Sequence, residues 1–182
     1  MVYNLVMVTY LLILINVLVF LMIRTNKLDA GKMAMSYYSV SVNREYYRLL
    51  TSAFAHEDLY HFLMNMFSLY NIGTICEDAF GSIRMLAIYF ISMLAGKYLS
   101  LLIRHSNHDD YTLSLGASGA ICGLFGAYLL LVMYYYGFQS LSYFVRPIVS
   151  MVVISILPGV DGTSHICCLS IGMLVAYLMI IL

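Results

Sequence analysis

The sequence predicts an all-α integral membrane protein, a bundle of six transmembrane helices forming one domain over residues 1–182. Three observations carry that reading. Hydrophobic residues make up 63% of the chain and charged residues 10%, against roughly half and a quarter in soluble globular proteins. The mean hydropathy is +0.90, and so short a chain cannot hide that much apolar surface from water by folding alone. The few charges also punctuate long charge-free runs, several of them near the ~20 residues that a helix needs to cross a hydrocarbon core. These runs lack the sustained alternation of a membrane β-barrel. Nine basic and nine acidic residues cancel, so no net field draws nucleic acid to the surface.

Each helix follows from where charge is absent. Helix one is read over 3–23, inside the uncharged run 1–23. Without a basic n-region or a small-residue cleavage site, it reads as a retained span and not a signal peptide. The connection over 24–56 is long for a small bundle, and loops of that length often serve a function. It holds Arg24, Lys27, Lys32, Arg44, Glu45 and Arg48, and its 37–54 stretch is amphipathic enough to lie in the membrane interface. Helix two takes the run 59–76, which stops at Glu77, and helix three takes 84–103 if Lys97 snorkels or faces the protein interior. The run 111–145 is too long for one helix; a turn over 136–140 leaves helix four at 118–136. Helix five is read over 142–158, closed by Pro158-Gly159, and helix six over 164–182. Cys76, Cys122, Cys167 and Cys168 sit in apolar sequence and read as small hydrophobes.

Polar groups inside spans are costly and need a partner or a role. His61 and Asn65 are four residues apart and share one face of helix two. Helix four opens on Gly116-Ala117-Ser118-Gly119-Ala120, and helix six on Ser164-His165. Even-numbered helices run the same way across the membrane, which puts Ser118, His165 and His61 at similar depth below one face. Gly119, Gly123 and Gly126 on helix four, and Cys168, Gly172 and Ala176 on helix six, form small faces that let backbones approach. Their pairing would bring Ser118 to His165, a nucleophile to its general base. The backbone N–H of Ser118 at a helix start, the Asn65 amide and the His61 imidazole would then face the developing oxyanion. No carboxylate lies within the even helices near them, so the arrangement is a dyad; Asp161, in the loop before helix six, is expected to face water.

These elements resemble the rhomboid family of intramembrane serine proteases. GASGA at 116–120 is similar to its G-x-S-G motif, HFLMN at 61–65 to its H-x-x-x-N element, and His165 with Gly172 to the base-bearing helix. Tyr47-Arg48 resembles the Trp-Arg element of the first loop, and Glu77 and Gly81 fall in step after helix two. The chain departs from the pattern at Tyr47, at Cys122, where many members carry a tyrosine that packs on the histidine, and at Cys168, which replaces a glycine. The resemblance implies a rhomboid-like fold. It also implies Ser118 and His165 as catalytic pair, with Asn65, His61 and the Ser118 backbone at the oxyanion. Arg48, Glu77, Gly116, Gly119, Gly123, Gly126 and Gly172 would be structural. It implies single-span membrane proteins as substrates within the lipid bilayer, no cofactor and no metal, and a plasma-membrane site opening to the outer side. That orientation runs against the Lys/Arg bias, since Arg24, Lys27, Lys32, Arg44 and Arg48 all lie in the first loop.

Blander readings stand beside these. Singly, Ser118 is a helix N-cap, His61 and Asn65 an interhelical hydrogen bond, and His165 a satisfied interfacial histidine. His56 reads as a structural loop histidine, and His105, His108, Asp109 and Asp110 as a hydrated loop rather than a metal site. The rival classes are a small transporter or channel using the His/Asn cluster, and a catalytically inactive rhomboid-like protein that binds helices. Transporters commonly carry internal repeats, and none is detected here.

Overall fold

The computed structural model describes residues 7–156 and 159–181. Within them the architecture is helical, with no strand beyond one isolated bridge between Met35 and Ser114. Six main helices organise the chain: α1 (Met7–Arg24), α2 (Leu59–Phe80), α3 (Ser82–Ser106), α4 (Ser118–Tyr136), α5 (Val145–Ser155) and α6 (Gly162–Ile181). A 3₁₀ segment, Phe138–Phe144, leads into α5. Five stretches are long and apolar enough to cross a membrane: α1, α3, α4, Phe138–Ser155 and α6. The 22-residue α2 has the length, but its polar residues keep it out of that set. The bundle therefore has five candidate spans, with α2 a further long helix beside them.

The boundaries differ from the sequence reading for local reasons. Helix two does not stop at residue 76, because Glu77 is fully buried and satisfied. Its carboxylate accepts from the backbone N–H groups of Val8 and Thr9 at 2.9 and 2.8 Å, from Thr9 Oγ1 at 2.7 Å and from Ser82 Oγ at 2.7 Å. It thus ties the first described turn of α1 to the end of α2 and the start of α3. The chain turns only at Gly81, whose φ of 80° favours glycine. Helix three is longer at both ends than 84–103, helix five is shorter than 142–158, and helix six starts at Gly162. Residues 3–6, 157, 158 and 182 of the expected spans lie outside the described residues. Lys97 does not snorkel: it is 2% exposed.

α6 packs closely against both α4 and α3, and α4 also touches α3 and α2. Small residues set that spacing. A Cβ on Gly172 would run into the Gly123 carbonyl, and one on Gly126 into the carbonyl of Leu169. A Cβ on Gly119 would lie 3.2 Å from Cys168 Sγ. α1 lies on the outside of α2, burying Thr9, Leu12, Asn16 and Phe20 along one stripe at helical spacing. Its Phe20 ring stacks on Phe62 at 4.3 Å. α5 is the loosest element, with no buried residue along its length.

The first loop bends back over the bundle through short helical turns at Ala30–Met33, Tyr38–Val42 and Tyr47–Thr51. Arg48 fastens it: Nη1 donates to the Gly31 and Ala34 carbonyls, both at 2.8 Å, and Nε to Glu45 at 2.7 Å. Met35 and Ser114 exchange backbone hydrogen bonds at 2.9 and 2.8 Å, and Gly116 N–H donates to the Ser52 carbonyl at 2.8 Å. The loop thereby holds the segment that leads into Ser118.

Candidate active site

Ser118 is the first residue of α4, and no side chain caps that helix start. Helix geometry leaves the earliest N–H groups without intrahelical acceptors, so the donors of the Ser118 turn remain available. Ahead of it, Gly116 adopts a φ of 116°, in a region that L side chains rarely occupy. Space also requires glycine there. A Cβ would lie 2.8 Å from His61 Nε2 and 3.8 Å from Asn65 Nδ2. The H-x-x-x-N face of α2 is therefore packed directly against the turn before Ser118.

His165, in the first turn of α6, is 5% exposed. Its Nε2 lies 2.8 Å from Ser118 Oγ, and its Nδ1 lies 2.8 Å from Ser155 Oγ at the end of α5. Asn65 donates one amide N–H to the His61 carbonyl at 3.0 Å, leaving its second amide hydrogen for another acceptor. The His61 ring makes no hydrogen bond among the described residues. Ser118, His165, His61 and Asn65 line one cavity of about 730 Å³, with apolar walls that include Phe125 and Ile154.

The surroundings correct two expectations. Asp161 does not face water: its side chain is 14% exposed and paired with Arg104 at 3.2 Å. Its other oxygen accepts from the Ser164 N–H at 2.9 Å, capping α6. Arg104 also binds Asp109 at 2.9 Å and the Thr112 carbonyl, which ties the 107–117 loop to the start of α6. The buried Lys97 ammonium donates to Ser52 Oγ at 2.8 Å and reaches the Gly116 carbonyl at 3.5 Å. It thereby holds the turn before Ser118 and forms no ion pair among the described residues. His105 pairs with Asp110 at 2.8 Å and stacks on Tyr37, apart from the Ser118 cavity. Ser155, Lys97 and the Arg104–Asp161 pair were not singled out as functional by the sequence reading. Their roles come from contacts 10 to 57 residues apart in the chain.

Fold and site together define a polytopic α-helical membrane protein with a hydrogen-bonded serine and histidine in a cavity among its helices. Residues 43–181 match the rhomboid domain model, and the chain belongs to the rhomboid family. It is 37% identical over 144 residues to RHOMBOID-like protein 4 of Arabidopsis thaliana, covering 75% of this chain and 35% of that protein. It is 28% identical over 172 residues to the rhomboid protease GluP of Bacillus subtilis, covering 87% of this chain and 32% of that protein. Inactive RHOMBOID-like protein 8 of Arabidopsis thaliana is 33% identical over 95 residues, 52% of this chain and 26% of that protein. The chain thus spans about a third of the length of the first and second of these relatives. The family includes intramembrane proteases, which act on membrane proteins in the bilayer, and members named inactive.

Proposed function

We propose that this chain is an intramembrane serine endopeptidase in which Ser118 is the nucleophile and His165 the general base. The 2.8 Å contact between Ser118 Oγ and His165 Nε2 is the observation that carries the reading. Neutral His165 takes the Ser118 proton as Oγ bonds to the scissile carbonyl carbon. The oxygen of that carbonyl gains negative charge beside the Ser118 N–H, the Asn65 amide and the His61 ring. Collapse breaks the C–N bond, and His165 returns the proton to the departing amine. Water then attacks the acyl-enzyme, losing its proton to His165. Collapse of that intermediate breaks the bond from Ser118 Oγ to the acyl carbon, and His165 returns the proton to Oγ as the carboxylic acid product leaves.

The reading requires the cavity to open at one membrane face and admit that water, and its apolar walls suit an unwound apolar segment of substrate. The proposed substrates are single-span membrane proteins, cleaved near the outer face of the plasma membrane. Non-catalytic binding is the second reading, suggested by the relative named inactive. The retained Ser118–His165 contact favours catalysis over it. The test is cleavage of a single-span reporter in proteoliposomes by wild type, Ser118→Ala and His165→Ala. We expect both variants to express and fold but to lose cleavage; near-normal cleavage by either purified variant rules the pair out.

A further inference from the structure

We propose that Ser155 is a positioning residue that holds His165 in the tautomer able to deprotonate Ser118; this rests on the proteolytic reading above. A neutral imidazole carries one N–H. If Nε2 is to accept the Ser118 proton, the hydrogen must sit on Nδ1 and needs an acceptor there. Ser155 Oγ lies 2.8 Å from Nδ1. Its own single proton is committed, because Ser155 Oγ donates to the Met151 carbonyl at 2.7 Å. The hydroxyl can therefore only accept from the ring. The direction of the chain is fixed from end to end: Nδ1–H to Ser155 Oγ, and Ser155 O–H to the Met151 carbonyl. As Nε2 takes the proton in the reaction, the same hydroxyl oxygen faces the cation that forms.

Nothing else among the described residues does this work. Asp161 is engaged by Arg104 and by the Ser164 N–H. No aromatic ring stacks on His165, and the residue one turn beyond Ser118 is the small Cys122. The approach of Ser155 is itself built in. A Cβ on Gly162 would collide with the Ser155 carbonyl oxygen and lie 3.3 Å from its Cβ, so glycine at the start of α6 is what lets the end of α5 reach the ring. Since α5 has no buried residue, this contact ties an exposed helix to the base.

The experiment uses the full chain in detergent micelles: wild type, Ser155→Ala, Ser155→Thr and Gly162→Ala. It combines steady-state cleavage with ¹⁵N spectra of the imidazoles, His165 being assigned by its loss in His165→Gln. Removing a buried carboxylate that fixes the tautomer costs about 10⁴-fold in serine proteases; a neutral hydroxyl, which water partly replaces, should be worth about 10–10²-fold. We expect Ser155→Ala to lose that factor in kcat with KM within about twofold, and Ser155→Thr to recover most of it. Gly162→Ala, which keeps the hydroxyl but displaces it, should reproduce the loss. In wild type and Ser155→Thr, His165 should show a protonated Nδ1 and an acceptor Nε2, with a tautomer mixture in Ser155→Ala. An unchanged His165 spectrum or unchanged kcat in Ser155→Ala overturns the proposal. If wild type cleaves nothing, the proteolytic reading falls by itself, and the ring spectrum still decides the role of Ser155.

Discussion

Asn65 and His61 owe their place to a turn that only glycine can make, since a side chain at Gly116 would fill the space their nitrogens occupy. If they face the oxyanion, losing one donor while others remain should cost about 10²-fold in kcat. We expect Asn65→Ala to be slowed by that order yet measurable, and Asn65→Ala with His61→Ala to be slower still. A double variant with wild-type kcat would remove the side-chain donors from the mechanism. Beside them His56 is fully buried, with neither ring nitrogen hydrogen-bonded among the described residues, its ring edge-on to His61 at 5.2 Å. Burial, ahead of the neighbouring His61, holds the imidazole at about 4, below the ordinary 6.5. An unfolded chain takes up this proton as pH drops below about 6.5, and the folded one only near 4. The contribution is thus complete above 6.5 and is lost as pH falls across that window. We expect the melting temperature in detergent to decline from pH 6.5 to 4, and His56→Phe to flatten the decline. An equal slope in that variant would assign the effect to another group. The site motifs were legible residue by residue because they are local patterns; Ser155 was not, since a serine near the end of an apolar run carries no signal until α6 folds back on it.

At the scale of elements, the spacing of α4 against α6 is set by backbone meeting backbone. Gly172 faces the Gly123 carbonyl and Gly126 the Leu169 carbonyl, and neither neighbour is a side chain that could swing away. Gly126→Leu and Gly172→Leu should each cost at least the ~1–3 kcal/mol typical of overpacking. We expect a lower melting temperature in detergent and a loss of cleavage in parallel, because the same helices carry Ser118 and His165. Full thermal stability in both variants would contradict this interface. The small-residue faces could be read from four-residue spacing alone. α4 ends at Tyr136 because Gly137, at a φ of 77°, turns the chain there. The extension of α2 to Phe80 could not be read. A buried carboxylate looks like a stop signal until its four partners, on α1 and at the start of α3, come into view.

Across the whole molecule, residues distant in sequence reach one cavity because α2, α4 and α6 all begin at the same end of the bundle, and the first loop holds the entry to α4. The class of protein was plain from composition and charge-free runs, since burying apolar surface in lipid constrains the entire chain. The fastening of the site was not plain: Met35 to Ser114, Lys97 to Ser52 and Arg104 to Asp161 join segments with no local pattern in common. These ties should make the serine reactive before any substrate arrives, as a preorganised site requires. The most direct measurement is labelling of the detergent-purified chain with a fluorophosphonate, followed by peptide mapping, which reads nucleophile activation without a known substrate. We expect one adduct, on Ser118, absent in Ser118→Ala and strongly reduced in His165→Ala. Undiminished labelling in His165→Ala, or an adduct on another residue with Ser118 unmodified, would contradict a Ser118 nucleophile activated by His165.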